Sequence, residues 1–359
     1  MPTSSRPFVL IVCNEMVRQA RITDDELRRL GGFADWEWLP MAAPNARGGL
    51  YGASAEAPEE TARLQAAVAA VDALVVCNGS PTITEDIMAA APRLRLIGEM
   101  EGDRFGARID VAAAAKREIR VTDTTNASSY PVAEWALAMT LIALRNAGEQ
   151  FRHMIGGEPY QRPHADLGYV RGELTGKRVG LIGCGIIGRR LLELLRPFRC
   201  DVRVYDPYIS KDVADACGFL LTNLDFVLAD SDVVVCLAPL TPKTHHMLGA
   251  AELRRIPPGA ALVNVSRGAL IDSAALIERL TPGDITAALD VFDPEPVPID
   301  SPIRSLPNVF LTPHIAGVTA AGAPRSFQLM VDELDRFFHG HETRYDLTAR
   351  VLAQRRGDI

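Results

Sequence analysis

Residues 177–206 read K-R-V-G-L-I-G-C-G-I-I-G-R-R-L-L-E-L-L-R-P-F-R-C-D-V-R-V-Y-D, and few folds can accommodate such a run. An apolar segment at 179–182 meets a glycine triplet, Gly183, Gly185 and Gly188, and a helix-periodic stretch follows. Gly183 permits a tight strand-to-helix turn, Gly185 admits a pyrophosphate close to the backbone, and Gly188 lets helix and strand pack closely. The helix N-terminus presents unpaired N–H groups and the positive end of a dipole to phosphates. Asp206 ends a second apolar strand, 18 residues after Gly188, where a carboxylate accepts hydrogen bonds from ribose hydroxyls. Strand, glycines, helix and acid together point to a dinucleotide site. The acid repels a 2′-phosphate, and Pro207 and Tyr208 bring no cation to hold one, so NAD is expected over NADP.

The remainder is consistent with a soluble enzyme. At 359 residues the chain is long enough for two domains. A net charge of −7 and a pI near 5.6 argue against nucleic acid or an anionic membrane as partner. No apolar run reaches the ~18 residues a membrane span needs. The six cysteines (13, 77, 184, 200, 217 and 236) form no C-x-x-C pair and lie mostly in apolar runs. They read as free thiols of a reducing compartment, so a cytoplasmic location is expected.

Short apolar runs at 8–12, 73–77, 94–97 and 119–121 alternate with helical patterns before the fingerprint. A capping box, T-D-D-E at 23–26, opens one of those helices. After Asp206 the rhythm continues with runs at 233–236, 261–264, 285–289 and 309–311. Such alternation predicts parallel sheets. The apolar helix expected at 131–145 is too short to span a bilayer and is expected to be buried between two domains. The stretch at 42–58, rich in Ala, Pro and Gly, reads as a loop. A C-terminal helix near 320–338 is expected to return to the first domain, making the dinucleotide domain an insertion with a cleft beside it. The expected boundaries are 1–125 with 318–359 for one domain and 126–317 for the other.

Three strand-to-loop junctions follow the fingerprint. V-N-V-S-R-G at 263–268 places Arg267 past a strand, and L-D-V-F-D-P-E-P at 289–296 places Asp290 and Glu295 past the next. L-T-P-H-I-A-G at 311–317 places His314 past the last. Singly they read as a surface ion-pair partner, a solvated acid and a turn histidine. Together, at the carboxyl ends of strands in a dinucleotide fold, they suggest a reaction site.

With these motifs the chain resembles the D-isomer-specific 2-hydroxyacid dehydrogenases. The likeness runs from about residue 94 to 319 and takes in G-C-G-I-I-G, Y-D-P-Y at 205–208 and A-P-L-T-P-K-T at 238–244. It continues through N-V-S-R-G-A-L-I-D at 264–272, L-D-V-F-D-P-E-P and T-P-H-I-A-G-V-T. The resemblance implies an α/β fold of two doubly wound parallel-sheet domains. A Rossmann NAD-binding domain would be inserted into a smaller flavodoxin-like substrate domain. It implies Arg267, Glu295 and His314 as the catalytic set and Asp290 as the contact to the nicotinamide carboxamide. Pro239, Thr244, Val265, Ser266 and the Ile186 and Ile187 amides would join Gly183, Gly185, Gly188, Asp206, Arg267 and His314 around the cofactor. Asn78, Gly79 and Ser80 match the family's substrate loop.

The chemistry suits those residue types. Arg267 can bridge the carboxylate and carbonyl of a 2-oxo acid with its fork of donors. His314 can give a proton to the developing alkoxide as hydride arrives, with a Glu295 carboxylate favouring the imidazolium. Small 2-oxo and 2-hydroxy acids are the expected partners, with a homodimer formed through the cofactor domains. No metal-ligand spacing is found, and the adjacent His245–His246 pair reads as a loop feature near the cofactor.

Two departures from the family stand out. Members often carry an arginine at Asn78 that can serve a phosphorylated substrate, so its absence points away from phosphoglycerate. The family's G-V-G-x-D loop is replaced by E-M-E-G-D-R-F-G-A-R at 99–108. That segment reads as solvated, against the alternative that Arg104 or Arg108 meets a second polar group on the substrate. Two other functions stay open on the same fold, a phosphite dehydrogenase-like enzyme and an NAD-sensing corepressor-like binding protein.

Overall fold

The structure is a computed structural model that describes residues 6–41, 58–100, 108–157, 172–356 and 358. Contacts divide the chain into two compact units, Met1–Ser128 with Ala320–Ile359, and Ser129–Thr319. The 42–57 part of the expected loop and residues 101–107, with Arg104, lie outside the described residues.

The first unit holds five parallel strands: β1 (Phe8–Cys13), β2 (Asp35–Pro40), β3 (Ala73–Val76), β4 (Leu96–Glu99) and β5 (Arg120–Asp123). Their order, β2-β1-β3-β4-β5, reverses direction between β1 and β3. Both sheet faces are covered, which is why the strands read as apolar runs and not as alternations. In β1, Val9, Ile11 and Cys13 enter one core cluster while Leu10 and Val12 enter the other. Helix Arg325–Phe338 seats Phe327, Met330, Val331 and Leu334 on the first of these faces. Thr23 caps helix Asp24–Phe33 by accepting from the Glu26 amide, as the T-D-D-E signal predicts.

The second unit holds seven parallel strands: β6 (Arg178–Ile182), β7 (Asp201–Tyr205), β8 (Leu220–Leu221), β9 (Val233–Cys236), β10 (Ala261–Asn264), β11 (Thr286–Leu289) and β12 (Val309–Leu311). Their order is β12-β11-β10-β9-β6-β7-β8, with the chain reversing direction between β6 and β9. Val233 and Val235 pack into one face and Val234 and Cys236 into the other. Each such burial contributes roughly 1.5–3 kcal/mol. Helix Ser129–Leu144, expected between domains, packs within this unit against helix Ile186–Leu195 and against β10 and β11. Its apolar character follows from that position, since Val132, Ala136, Met139 and Ala143 all enter the core. The chain is thus a two-sheet, parallel α/β protein.

Candidate active site

The glycine loop lies at the β6/β9 reversal, where ligands of open parallel sheets bind. Gly183 has φ 91°, and a side chain there would meet the Ala238 backbone at 2.7 Å. Gly185 forms the N-cap of helix Ile186–Leu195 and makes no side-chain cap. A Cβ on Gly185 would meet nothing within 4 Å. An uncapped helix start beside open space suits a diphosphate group. Ile186 is exposed and Ile187 half-buried at that start, while Gly188 is buried against the loop.

Asp206 stands just past β7, beside this loop. Its Oδ2 accepts from the Cys184 amide at 2.8 Å and its Oδ1 from the Tyr208 amide at 2.9 Å. The carboxylate is therefore aimed before any ligand arrives, with lone pairs remaining for hydroxyl donors. Burial and the nearby Asp206 charge push the Cys184 thiol up to about 12. That sulfur is a filler of the loop and no nucleophile near neutral pH.

The loops after β9 and β10 are stapled by their own side chains. Thr244 Oγ1 donates to the Pro239 carbonyl at 2.7 Å and accepts from the Thr241 amide at 2.8 Å. Ser266 Oγ donates to the Ala238 carbonyl, and Val265 is buried. Asn264, absent from the sequence expectations, shapes the turn that presents Arg267. Its Oδ1 accepts from the Ser266 amide at 3.0 Å and its Nδ2 donates to the Arg267 carbonyl at 2.9 Å. Burial pulls the Arg267 guanidinium down to about 10, and the Glu295 carboxylate offsets part of that. It stays cationic at neutral pH. The Arg267 and Glu295 segments meet through backbone, since a Cβ on Gly268 would fall 1.9 Å from the Phe292 carbonyl carbon.

The third junction is the most ordered. Asp290 is fully buried, and its Oδ1 accepts from Thr312 Oγ1 at 2.6 Å and the Ile315 amide at 3.0 Å. Its Oδ2 accepts from the Ala316 amide at 2.9 Å. The carboxylate expected at the nicotinamide thus holds the His314 loop, and Thr312 is a further site residue that the sequence did not announce. His314 sits in the left-handed region at φ 55°, and its Nδ1 lies 2.6 Å from Glu295 Oε1. Glu295 Oε2 accepts from the Phe292 amide at 3.3 Å, which fixes the acid against the ring. The pairing of these two residues, 19 apart in sequence, gives the exposed Glu295 carboxylate a specific partner.

In the first unit, the substrate-loop candidates follow β3 at the β1/β3 reversal. The Asn78 carbonyl accepts from the Asn14 amide at 2.9 Å. Asn78 and Gly79 are half-buried, whereas Ser80 is fully buried and donates to the Pro81 carbonyl at 3.1 Å. Ser80 therefore shapes this loop from beneath. The solvated reading fails at both ends of 99–108. Glu99 and Arg108 are buried, with Arg108 Nη1 donating to Glu99 Oε1 at 2.6 Å and Nη2 to Asn78 Oδ1 at 3.1 Å. A buried ion pair now buttresses the loop that carries Asn78, and the Arg108 fork is engaged by protein.

The chain is similar in sequence and in fold to known proteins. The family described as D-isomer specific 2-hydroxyacid dehydrogenase, NAD binding domain, matches residues 137–316. A D-3-phosphoglycerate dehydrogenase of Methanocaldococcus jannaschii is 35% identical over 274 residues, covering 75% of this chain and 50% of that protein. The chain thus spans about half the length of that relative. A glyoxylate reductase of Korarchaeum cryptofilum is 34% identical over 288 residues, 79% of this chain and 85% of that protein. A solved structure from Pyrococcus horikoshii aligns at TM-score 0.73 with 25% identity, covering 98% of each chain.

Proposed function

The chain belongs to the D-isomer-specific 2-hydroxyacid dehydrogenase family and carries that family's NAD-binding domain, and we propose that it interconverts a 2-oxo acid and a D-2-hydroxy acid. The observation that carries this reading is the 2.6 Å contact between His314 Nδ1 and Glu295 Oε1, on a loop whose Phe292 backbone packs against Gly268, the residue after Arg267.

When bound, the nicotinamide supplies or accepts the hydride. The glycine loop and the start of helix Ile186–Leu195 hold the diphosphate, and Asp206 takes the adenosine ribose hydroxyls and so favours NAD over NADP. Pro239, Thr244, Val265, Ser266 and Asp290 complete the cofactor's surroundings. Arg267 binds the substrate carboxylate and polarises its carbonyl. Glu295 accepts from His314 Nδ1–H, which leaves Nε2 to carry the mobile proton. In reduction Nε2 gives that proton to the carbonyl oxygen, and in oxidation it removes it from the hydroxyl. Asn78 and Gly79 contact the acyl side of the substrate.

No helix among the described residues is long and apolar enough to cross a membrane. Six free cysteines support the cytoplasm as the working compartment. Exposed apolar side chains in the second unit support a homodimer formed through that unit: Tyr130 and Leu141 on helix Ser129–Leu144, and Phe151, Met154 and Ile155 on helix Ala147–Ile155.

The test is a steady-state screen of 2-oxo acids with NADH, starting with glyoxylate, hydroxypyruvate and pyruvate. Saturable turnover yielding the D-hydroxy acid is expected with at least one of them. Tight NADH binding without turnover of any 2-oxo acid would overturn the assignment in favour of a sensor.

A further inference from the structure

We propose that His245, His246 and Asp293 form a binding site for a borderline divalent transition-metal ion, such as Zn²⁺ or Co²⁺, separate from the acid–base pair. One ligand atom from each of the three lies within 4.8 Å of the others, and all three side chains are exposed. Two imidazoles and a carboxylate, with a water completing the set, form a donor group suited to such ions and poorly suited to Mg²⁺ or Ca²⁺. With metal–nitrogen bonds of about 2.0–2.1 Å, tetrahedral ligands stand roughly 3.4 Å apart. Closing from 4.8 Å asks up to about 1.4 Å of movement and a turn of the stacked His245 and His246 rings, all in exposed side chains.

Two features go beyond proximity. The first is a partner on the far edge of the ring. His246 Nε2 faces Asp293 Oδ2 at 3.6 Å while Nδ1 faces Asp272 Oδ2 at 3.8 Å. A carboxylate behind the non-ligating nitrogen is the arrangement that orients metal-binding histidines and raises their basicity. Asp272 is itself held, because its Oδ1 caps helix Ser273–Leu280 by accepting from the Ala275 amide at 2.8 Å.

The second is backbone preorganisation. His246 adopts φ 50°, an uncommon state for a non-glycine residue, with its amide donating to the Ala269 carbonyl at 2.8 Å. The Asp293 carbonyl accepts from Ser273 Oγ at 2.6 Å, which brings the acid's loop to the same place.

An ion here would tie the loop after β9 to the loop that carries Glu295, two residues beyond Asp293. The site therefore offers a way for metal to restrain that loop without touching His314.

Titration of the intact protein with Co²⁺ alone, followed by calorimetry and visible absorption, tests this. One Co²⁺ per chain is expected, displaced by Zn²⁺. His246→Asn keeps a residue that tolerates the left-handed backbone but removes the ring, and it should weaken binding at least tenfold. Asp293→Asn should do the same, and Asp272→Asn should weaken binding about 10-fold, as for other partners behind metal-bound histidines. His314→Gln should retain the stoichiometry. No stoichiometric binding up to millimolar Co²⁺, or wild-type affinity in both His246→Asn and Asp293→Asn, would overturn the proposal. Should Asp293→Asn fail to fold by circular dichroism, His245→Ala, which changes an exposed ring, gives the same reading.

Discussion

The His314 amide donates to the Asp290 carbonyl at 2.8 Å while the Asp290 carboxylate holds the amides of Ile315 and Ala316. One buried acid therefore fixes the left-handed backbone of the residue that carries the proton. Left-handed geometry in a non-glycine residue persists only where its surroundings impose it.

Asp290→Asn should therefore cost both stability and turnover. Asparagine offers one acceptor oxygen in place of two, so at least one of the three converging donors meets an N–H₂ and is left unpaired at about 1–3 kcal/mol. Urea denaturation measures the first effect. The second should appear as a fall in kcat at saturating NADH, with the enzyme still folded.

His314→Ala and Arg267→Ala should fail differently. Loss of the proton donor should lower kcat for reduction by ~10²–10⁴-fold and leave NADH affinity nearly unchanged. Loss of the guanidinium should also raise KM steeply, because carboxylate binding goes with it. A His314→Ala enzyme with near-normal kcat would remove histidine from the mechanism.

Glu295→Gln should lower kcat for reduction, because the His314 ring loses a charged acceptor 2.6 Å from Nδ1. Steady-state kinetics at saturating NADH measures this. An unchanged kcat would mean that Glu295 only positions the loop.

Asp232 provides a stability prediction at low pH. Its hydrogen bonds from the Arg178 side chain hold its carboxyl below the ordinary range, with the Arg178 amide adding to the effect. A lowered folded value means that the stabilisation is complete above about pH 4 and is lost as pH falls through the folded value. Asp232→Asn should be less stable than the native chain by ~1–2 kcal/mol near neutrality, a modest figure for a partly exposed pair. The gap should close in strong acid. Paired denaturation curves across pH would show whether it does.

Legibility from sequence followed burial. Strands buried on both faces stood out as apolar runs, and so did the loops that follow them, which is why Arg267, Asp290, Glu295 and His314 could be singled out. β2 has no such run. Its D-W-E-W-L-P is an edge strand with Trp36 and Trp38 half-buried and Asp35 and Glu37 exposed. β8, at two residues, is too short to carry a pattern. Asn264 and Thr312 are single polar residues in or beside apolar strands, and only their hydrogen bonds reveal what they hold. The Arg108–Glu99 pair closes across a segment whose composition suggests solvent, and the convergence of Asp272 and Asp293 on His246 depends wholly on tertiary folding.

The bonds from Asp206 to the Cys184 and Tyr208 amides join two properties that an engineer would want to vary separately. Asp206→Ala should weaken NAD and narrow the NAD/NADP gap by about 1–3 kcal/mol, the range of a charge-assisted hydrogen bond. The same change removes the Cys184 amide's tie, leaving the Gly183 amide's bond to the Tyr205 carbonyl at 2.8 Å between the glycine loop and β7. Recruiting NADP in this chain would thus call for a replacement side chain that re-ties Cys184 as well as a cation for the extra phosphate. Cofactor choice and loop shape have to be altered together.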